Sequence, residues 1–229
     1  MKTNARNFGL PTAVLAFLAV TGSALAQPPG FPGRRPAPVE PPPPPVVAPI
    51  PGIKPLTGPG KVYDSASALW PGKGPEQLNY AVDEYVISGT AAGEPYETRL
   101  VIRKPKDSRK FSGLVVAEPM HPAAAAAHAF EYNSLYIMDA GHIAVEIDTT
   151  GVEQIAAFNP ERYGSLKVTQ KQISEILAQA GALLKSPQSP IADLVLRKMI
   201  LWGTSASSAM VVNYLPSHRR SEEHTSELQ

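Results

Sequence analysis

The chain has 229 residues, of which 43% are hydrophobic and 25 are proline, and its formal net charge at pH 7 is +1. A chain so close to neutrality has no field to attract polyanions, which excludes generic nucleic-acid binding. The lack of cysteine excludes a disulfide framework, a zinc-thiolate site and a cysteine nucleophile.

The first 26 residues have the order of segments that is typical of a secretory signal peptide. Lys2 and Arg6 precede an apolar run at residues 10–20, and Ala24 to Ala26 form an Ala-x-Ala cleavage site. The run is shorter than the roughly 20 apolar residues that a transmembrane helix needs. We therefore expect a soluble protein that is exported to the periplasm or secreted. An uncleaved anchor in the membrane interface is the alternative.

Residues 27–59 are rich in proline and include an unbroken run at Pro41–Pro45. Because proline has no N–H for a β-ladder and the segment has few large apolar residues to bury, we predict a stiff, extended linker. Such a segment serves as a linker or as a spacer in the cell envelope, where it would contact the envelope; docking in an aromatic groove of a partner is the alternative.

The folded segment, residues 60–219, begins with a predicted antiparallel hairpin. Glu84–Ser88 and Glu97–Arg103 have strand patterns and flank a turn at Gly89–Pro95. Gly113–Ala117 is a compact apolar run, typical of a strand that is buried on both faces. The alanine-rich stretch Pro122–Met138 is predicted as a helix because alanine is the best helix former.

After this stretch, strands alternate with helices. The predicted elements are a strand at His142–Ile147, a loop at Pro160–Val168, a helix at Gln170–Leu184, a buried strand at Lys198–Leu201 and a helix from Ala206 to about Tyr214. This order predicts an α/β fold with a mainly parallel sheet and antiparallel N-terminal strands. Ligands of such sheets bind at the carboxyl ends of the strands.

The turn after the Lys198–Leu201 strand contains the most informative motif. Gly203 and Ser207 flank Ser205 in a Gly-x-Ser-x-Ser pattern, between a strand and a helix. Small residues at these two positions allow the sharp turn of a nucleophile elbow, although serine replaces the second glycine of the usual pattern. We predict Ser205 as a nucleophile, with the N–H of Ala206 as an oxyanion donor; the alternative is that Ser205 only caps the helix.

The sequence resembles the α/β-hydrolase superfamily, and more closely a family of exported bacterial α/β-hydrolase-domain proteins. The resemblance covers residues 79–219 and includes three segments: SGLVVAEPMHP at Ser112–Pro122, NPERYGSL at Asn159–Leu166 and ILWGTSASS at Ile200–Ser208. It implies a second oxyanion donor in the loop after the Gly113–Ala117 strand. Proline cannot donate a backbone N–H, so Met120 and His121 are the candidates, and we name His121. A pocket-lining or hydrogen-bonded histidine is the alternative role for His121.

The triad of this superfamily runs in the chain order serine, acid, histidine. His121, His128 and His142 precede Ser205, and His218 follows it too closely for an intervening strand that would carry the acid. None of them is interpreted as the catalytic base, and we interpret His128, His142 and His218 as structural. Glu118 and Asp148 follow buried strands and are interpreted as carboxylates that cap loops, with a pocket-lining role as the alternative. Neither metal-ligand spacing nor a phosphate-binding loop is found, so we expect no metal and no cofactor.

The last ten residues, Arg220 to Gln229, match the translation of a widely used sequencing adapter. A polar C-terminal tail is the alternative. If the match is right, the natural chain is interrupted near Arg219, the triad acid and histidine lie beyond it, and the sheet is incomplete at its C-terminus. We expect the protein to be an exported serine hydrolase for a small-molecule ester or related acyl substrate, and the truncated chain to be inactive. A non-catalytic envelope binding protein and dehalogenase or lyase chemistry are the alternatives.

Overall fold

The computed structural model describes residues 47–123 and 125–215. They form one six-stranded sheet with the order β1-β2-β3-β5-β4-β6. The strands are β1 Gly52–Pro55, β2 Tyr80–Ala91, β3 Glu94–Pro105, β4 Leu114–Pro119, β5 Ile143–Ile147 and β6 Lys198–Leu201. The helices are α1 His128–Asp139, α2 Val152–Phe158, α3 Pro160–Tyr163, α4 Ile173–Leu184 and α5, residues 206–215, with 3-10 turns at Ser108–Lys110 and Gln170–Gln172.

The first three strands form an antiparallel meander, which confirms the predicted hairpin. β2 and β3 pair along their full lengths, from Tyr80 opposite Pro105 to Ala91 opposite Glu94. Ala92 and Gly93 make the turn with positive φ angles of 50° and 74°. Two consecutive left-handed residues give the two-residue turn whose twist fits a hairpin, so the strands extend further toward the turn than predicted.

The second half of the sheet is parallel, as predicted. β4 pairs with β5 on one side and with β6 on the other, and Ala117 of β4 lies opposite both Val145 and Leu201. β5 is buried along its whole length. β6 is not the fully buried strand that the sequence predicted: Ile200 is 43% exposed. β6 pairs only with β4 in the described sheet, which leaves its other edge uncovered.

An apolar cluster covers each face of the sheet. The larger cluster packs α2, α3 and α4 against one face and includes Leu100, Val115, Ile147 and Ile176. The smaller cluster packs α1 and the segment before β2 against the other face, with Phe130 and Ile137 among its buried residues. Among the described helices, none has both the length and the hydropathy needed to span a membrane.

The predicted helix at Pro122–Met138 begins later than expected, at His128. Ala125 has a positive φ of 45°, and the N–H of His121 donates to the carbonyl of Ala126 at 2.9 Å, so this part of the alanine run is a loop. The carboxylate of Glu118 accepts the N–H groups of Ala129 and Phe130 and fixes the start of the helix. Tertiary contacts therefore override the helix propensity of alanine.

The first strand lies where a linker was predicted. β1 pairs with β2, so the extended proline-rich spacer ends before Gly52. An edge strand tolerates proline because its missing N–H can face away from the ladder. The predicted signal peptide, most of the spacer, His218 and Arg220–Gln229 lie outside the described residues.

A short helix, α3, lies within the loop that was predicted at Pro160–Val168. Asn159 caps this helix by accepting the N–H of Arg162, and Pro160 occupies its first turn. Both residue types are favoured at these positions, because asparagine satisfies a free N–H group and proline needs no partner for one. The cap and the proline therefore explain an element that apolar periodicity did not reveal.

Candidate active site

Ser205 lies in a sharp turn between β6 and α5. The N–H of Trp202 continues the parallel ladder by donating to the carbonyl of Ala117 at 2.8 Å, and the chain then turns through residues 203–205 into the helix. Ser205 is exposed and has a φ of +49°. A left-handed conformation is uncommon for a residue other than glycine and is not the extended conformation of an ordinary helix cap. Strain of this kind is typical of a nucleophile elbow.

The neighbours of Ser205 explain why the turn needs small residues. A Cβ on Gly203 would lie 2.6 Å from the carbonyl oxygen of Ser207 and 2.8 Å from the Cα of Ser208, so a larger residue does not fit. Ser207 is buried, and its hydroxyl accepts the N–H of Thr204 and donates to the carbonyl of Thr204, both at 2.9 Å. Serine at this position therefore closes the turn with its own side chain.

The helix N-terminus that follows Ser205 provides the first predicted oxyanion donor. Ala206 is the first residue of α5, and the first N–H groups of a helix have no partner within that helix. The N-terminal end of the helix also carries a partial positive charge. Ala206 thus lies where the sequence predicted, and its role stays a prediction.

The loop after β4 holds the candidates for the second donor, and both N–H groups are engaged. Met120 donates to the carbonyl of Ile147 at 3.0 Å, which extends the sheet. His121 donates to the carbonyl of Ala126 at 2.9 Å, in an isolated bridge. The N–H of His121 can therefore serve as an oxyanion donor only after this bridge opens.

The side chain of His121 stacks on another histidine. His121 is 7% exposed, and the centroid of its ring lies 4.1 Å from that of His128. Neither ring nitrogen of His121 has a hydrogen-bond partner among the described residues. Burial, and secondarily the neighbouring His128, lower the pKa of His121. The ring is thus placed by stacking, which differs from the hydrogen-bonded histidine that the sequence left open.

The loop after β4 and α1 are joined by Glu118. Its carboxylate oxygens accept the N–H of Ala129 at 2.7 Å and the N–H of Phe130 at 2.8 Å, so it caps the start of a helix, whereas the sequence suggested a loop cap. Burial, followed by the charge of Glu146, raises its pKa from 4.5 to about 8, although these two N–H groups oppose the shift. Glu118 therefore ties the candidate site to the start of α1.

Comparison with known proteins agrees with this architecture. The profile of the alpha/beta hydrolase domain family matches residues 46–227. The chain belongs to this family. The match extends into Arg220–Gln229, whose resemblance to an adapter stays a prediction. No curated protein sequence matches the hydrolase domain.

Solved structures resemble part of the hydrolase domain. A cold-adapted esterase from an Arctic intertidal metagenomic library is 20% identical, with a TM-score of 0.36, and the match covers 61% of this chain and 55% of that one. A glucuronoyl esterase from Solibacter usitatus is 12% identical, with a TM-score of 0.40, covering 77% of this chain and 51% of that one. The chain thus spans about half the length of these two proteins.

The hydrolase domain also contains a buried ion network that the sequence analysis missed. Arg99 is fully buried and contacts Glu84 at 2.8 Å, Glu146 at 3.0 Å and Asp148 at 2.5 Å. Arg103 contacts Glu146 at 2.8 Å. Arg99 and Arg103 lie four residues apart on one strand and so share a face of the sheet. That spacing is visible in the sequence, but the apolar alternation of Leu100 and Ile102 on the other face dominates the pattern of this strand.

Within the network, the pKa values of two neighbouring carboxyl groups shift in opposite directions. Burial would raise the pKa of Glu146, but Arg103 and Arg99 outweigh it and lower this pKa to about 2. Burial raises the pKa of Asp148 well above its ordinary value, and the attraction of Arg99 offsets this only in part because Glu146 lies beside it. Asp148 therefore belongs to this network, whereas the sequence suggested a loop cap.

The NPERYGSL segment of the hydrolase domain binds the main chain that follows β1. Arg162 contacts Glu84 at 2.7 Å and donates to the carbonyls of Leu56 and Gly58, both at 2.8 Å. The Asn159 amide donates to the carbonyls of the residues at positions 59 and 61, as two further main-chain contacts. The residues of this segment are thus structural in the described domain.

His142, the remaining histidine of the described residues, lies apart from the turn at Ser205. His142 precedes β5 at the opposite end of the sheet, where its Nδ1 lies 2.6 Å from the hydroxyl of Ser112. This is consistent with the structural role expected for it. Within residues 47–123 and 125–215, no group of three or more histidine and carboxylate side chains has the arrangement of a metal site.

Proposed function

We propose that this hydrolase domain belongs to an exported serine hydrolase that cleaves an ester or a related acyl bond. The observation that carries the proposal is the left-handed backbone of Ser205, at the carboxyl end of a parallel strand and directly before a helix. This conformation presents a serine hydroxyl above the sheet, where ligands of parallel sheets bind. Membership of the hydrolase family supports the reaction class. The order of charged, apolar and small residues at the N-terminus supports export.

In this mechanism the hydroxyl of Ser205 attacks the carbonyl carbon of the substrate. The proton of this hydroxyl passes to a general base, and the carbonyl oxygen becomes the oxyanion of a tetrahedral intermediate. The intermediate then collapses: the protonated base returns the proton to the leaving alcohol, and an acyl-serine remains. Water then releases the acid and regenerates Ser205. The N–H groups of Ala206 and His121 bind the oxyanion, after the substrate displaces the carbonyl of Ala126 from His121.

The general base is proposed to lie outside this chain. The superfamily order places the acid and then the histidine after the serine, and the histidines at positions 121, 128 and 142 all precede Ser205. His218 follows Ser205 without room for a strand that would carry the acid. We propose that the histidine and its carboxylate partner come from the part of the domain that the full-length gene encodes after Arg219.

Labelling of the full-length protein with a fluorophosphonate probe tests the nucleophile directly. We expect one labelled site at Ser205 by peptide mass spectrometry, loss of the label in Ser205→Ala, and normal labelling in Ser67→Ala, a change of another exposed serine. Absence of labelling in the folded wild-type protein would contradict the proposal and would favour a non-catalytic binding protein of the envelope.

A further inference from the structure

The turn after β5 contacts the two elements that carry the proposed oxyanion donors. The hydroxyl of Thr150 donates to the carbonyl of Met120, in the loop after β4, at 3.1 Å. The hydroxyl of Thr149 lies 3.6 Å from the sulfur of Met210, on the helix that follows the elbow. One short turn therefore bridges the loop that holds His121 and the helix that begins at Ala206.

Gly151 shows how closely this turn approaches the loop. Its φ is +69°, and a Cβ at this position would lie 2.9 Å from Cε of Met120 and 3.3 Å from Cβ of Ala125. A side chain would push the two segments apart. The tight approach keeps the hydroxyl of Thr150 within reach of the Met120 carbonyl.

The carbonyl that Thr150 contacts belongs to the same peptide unit as the N–H of His121. The atoms of a peptide unit lie in one plane, with C=O and N–H pointing in opposite directions, so a bond that fixes the carbonyl also fixes the N–H. The N–H of Met120 is held separately, by the carbonyl of Ile147 at 3.0 Å. When the bridge between His121 and Ala126 opens, the bond from Thr150 continues to hold this peptide unit.

We propose that Thr150 is a positioning residue, whose hydroxyl sets the direction of the His121 N–H toward the oxyanion. The inference rests on the proposed function and adds a residue that neither the elbow motif nor the triad includes. The branched Cβ of threonine restricts its side-chain rotamers, which helps to keep the hydroxyl on the carbonyl. The effect is expected on the stabilisation of the transition state, since Thr150 acts through a main-chain donor.

The test compares wild type, Thr150→Val, Thr150→Ser and Thr150→Ala in the full-length protein, with exposed Thr90→Val as the matched control. With a p-nitrophenyl ester, we expect Thr150→Val to lower kcat by about five- to tenfold, the usual effect of one neutral hydrogen bond, with little change in KM. We expect Thr150→Ser to stay within about twofold of wild type, because it retains the hydroxyl, and Thr90→Val to equal wild type.

Thermal melting and labelling rates separate a catalytic effect from a folding effect. Thr150→Ser and Thr150→Ala differ only in the hydroxyl, so their ratio of kcat values tests the inference even if Thr150→Val folds poorly. A ratio near one, or equal rates of Ser205 labelling in Thr150→Val and wild type, would overturn the role of Thr150 while leaving the nucleophile in place. A folded wild-type protein that is not labelled at Ser205 would overturn both proposals.

Discussion

Glu118 of β4 and Glu146 of β5 lie side by side in the parallel sheet, both buried, yet their pKa values move in opposite directions. Glu146 contacts two arginines, Arg99 and Arg103. The hydrogen-bond partners of Glu118 are two backbone N–H groups of α1, which carry only partial charges. Two acids at equivalent positions thus differ because the arginines of β3 form ion pairs with only one of them.

The raised pKa of Glu118 predicts a pH-dependent stability. Its pKa rises from 4.5 to about 8 on folding, so the native state holds the proton more tightly than the unfolded chain does. The resulting stability is full below about pH 4.5 and is lost as the pH rises through about 8. Measured by urea unfolding, the free energy of unfolding should decline across this pH window. In Glu118→Gln the decline should be shallower, by at most about 1.4 kcal/mol per pH unit. If the free energy of unfolding depended on pH in the same way in Glu118→Gln, in wild type and in the exposed control Glu76→Gln, the pH dependence would not come from Glu118.

Removal of Arg99 should be strongly destabilising. Arg99→Met leaves the carboxylates of Glu84, Glu146 and Asp148 without their shared cation in a buried site, which typically costs about 3–5 kcal/mol. The control is Arg109→Met, because the side chain of Arg109 is 88% exposed and its loss should change stability by no more than about 0.5 kcal/mol. Chemical denaturation measures the free energy of unfolding of both variants. Similar values for Arg99→Met and Arg109→Met would show that the network contributes little to stability.

A Cβ at Gly203 should disturb the elbow. Since that atom would lie 2.6 Å from the carbonyl oxygen of Ser207, we expect Gly203→Ala to lose about 1–3 kcal/mol of stability and to slow the labelling of Ser205. Gly181→Ala is the control, because its Cβ would make an ordinary 3.5 Å contact with Met199 inside a helix. Alanine there should leave stability unchanged or raise it by up to about 1 kcal/mol. Normal labelling of a stable Gly203→Ala would count against the elbow geometry.

The 229-residue chain alone should leave p-nitrophenyl acetate unhydrolysed. The proposed mechanism needs a histidine that follows Ser205 and an acid that orients it, and His218 follows too closely to take that part. Absorbance of the released p-nitrophenolate measures the reaction. Rapid hydrolysis that disappears in Ser205→Ala would mean that the chain holds its own general base.

Local signals were enough to predict five of the six strands of the described sheet and the turn at Ser205. The hairpin follows from residue alternation, the parallel strands from short apolar runs, and the turn at Ser205 from small residues between a strand and a helix. Local signals failed where a distant contact decides the structure. The carboxylate of Glu118 sets the start of α1 by accepting the N–H groups of Ala129 and Phe130, and helix propensity carries no information about that contact.

The candidate site was predictable only in part for the same reason. The Gly-x-Ser-x-Ser pattern locates the turn at Ser205 and the helix start at Ala206, because both depend on neighbouring residues; the catalytic roles stay predictions. Whether the N–H of His121 is available depends on the carbonyl of Ala126, and the contact between Thr150 and Met120 joins residues 30 positions apart. The partners of Arg99 on β5 and just after it are separated from it by 47 and 49 positions, so residue patterns did not reveal the network.

The hydrogen bonds from Arg162 and Asn159 to the main chain of residues 56–61 have a mechanical consequence. Two side chains of one short segment hold four carbonyl groups, those of Leu56, Gly58, Pro59 and Lys61. Because these four residues follow β1 in the chain, tension that reaches the domain through its N-terminal side would load the β1 ladder first and these bonds only after β1 has separated. The first strand should therefore be the first to separate under a pulling force, and the four bonds behind it would keep the load from β2 and the rest of the sheet.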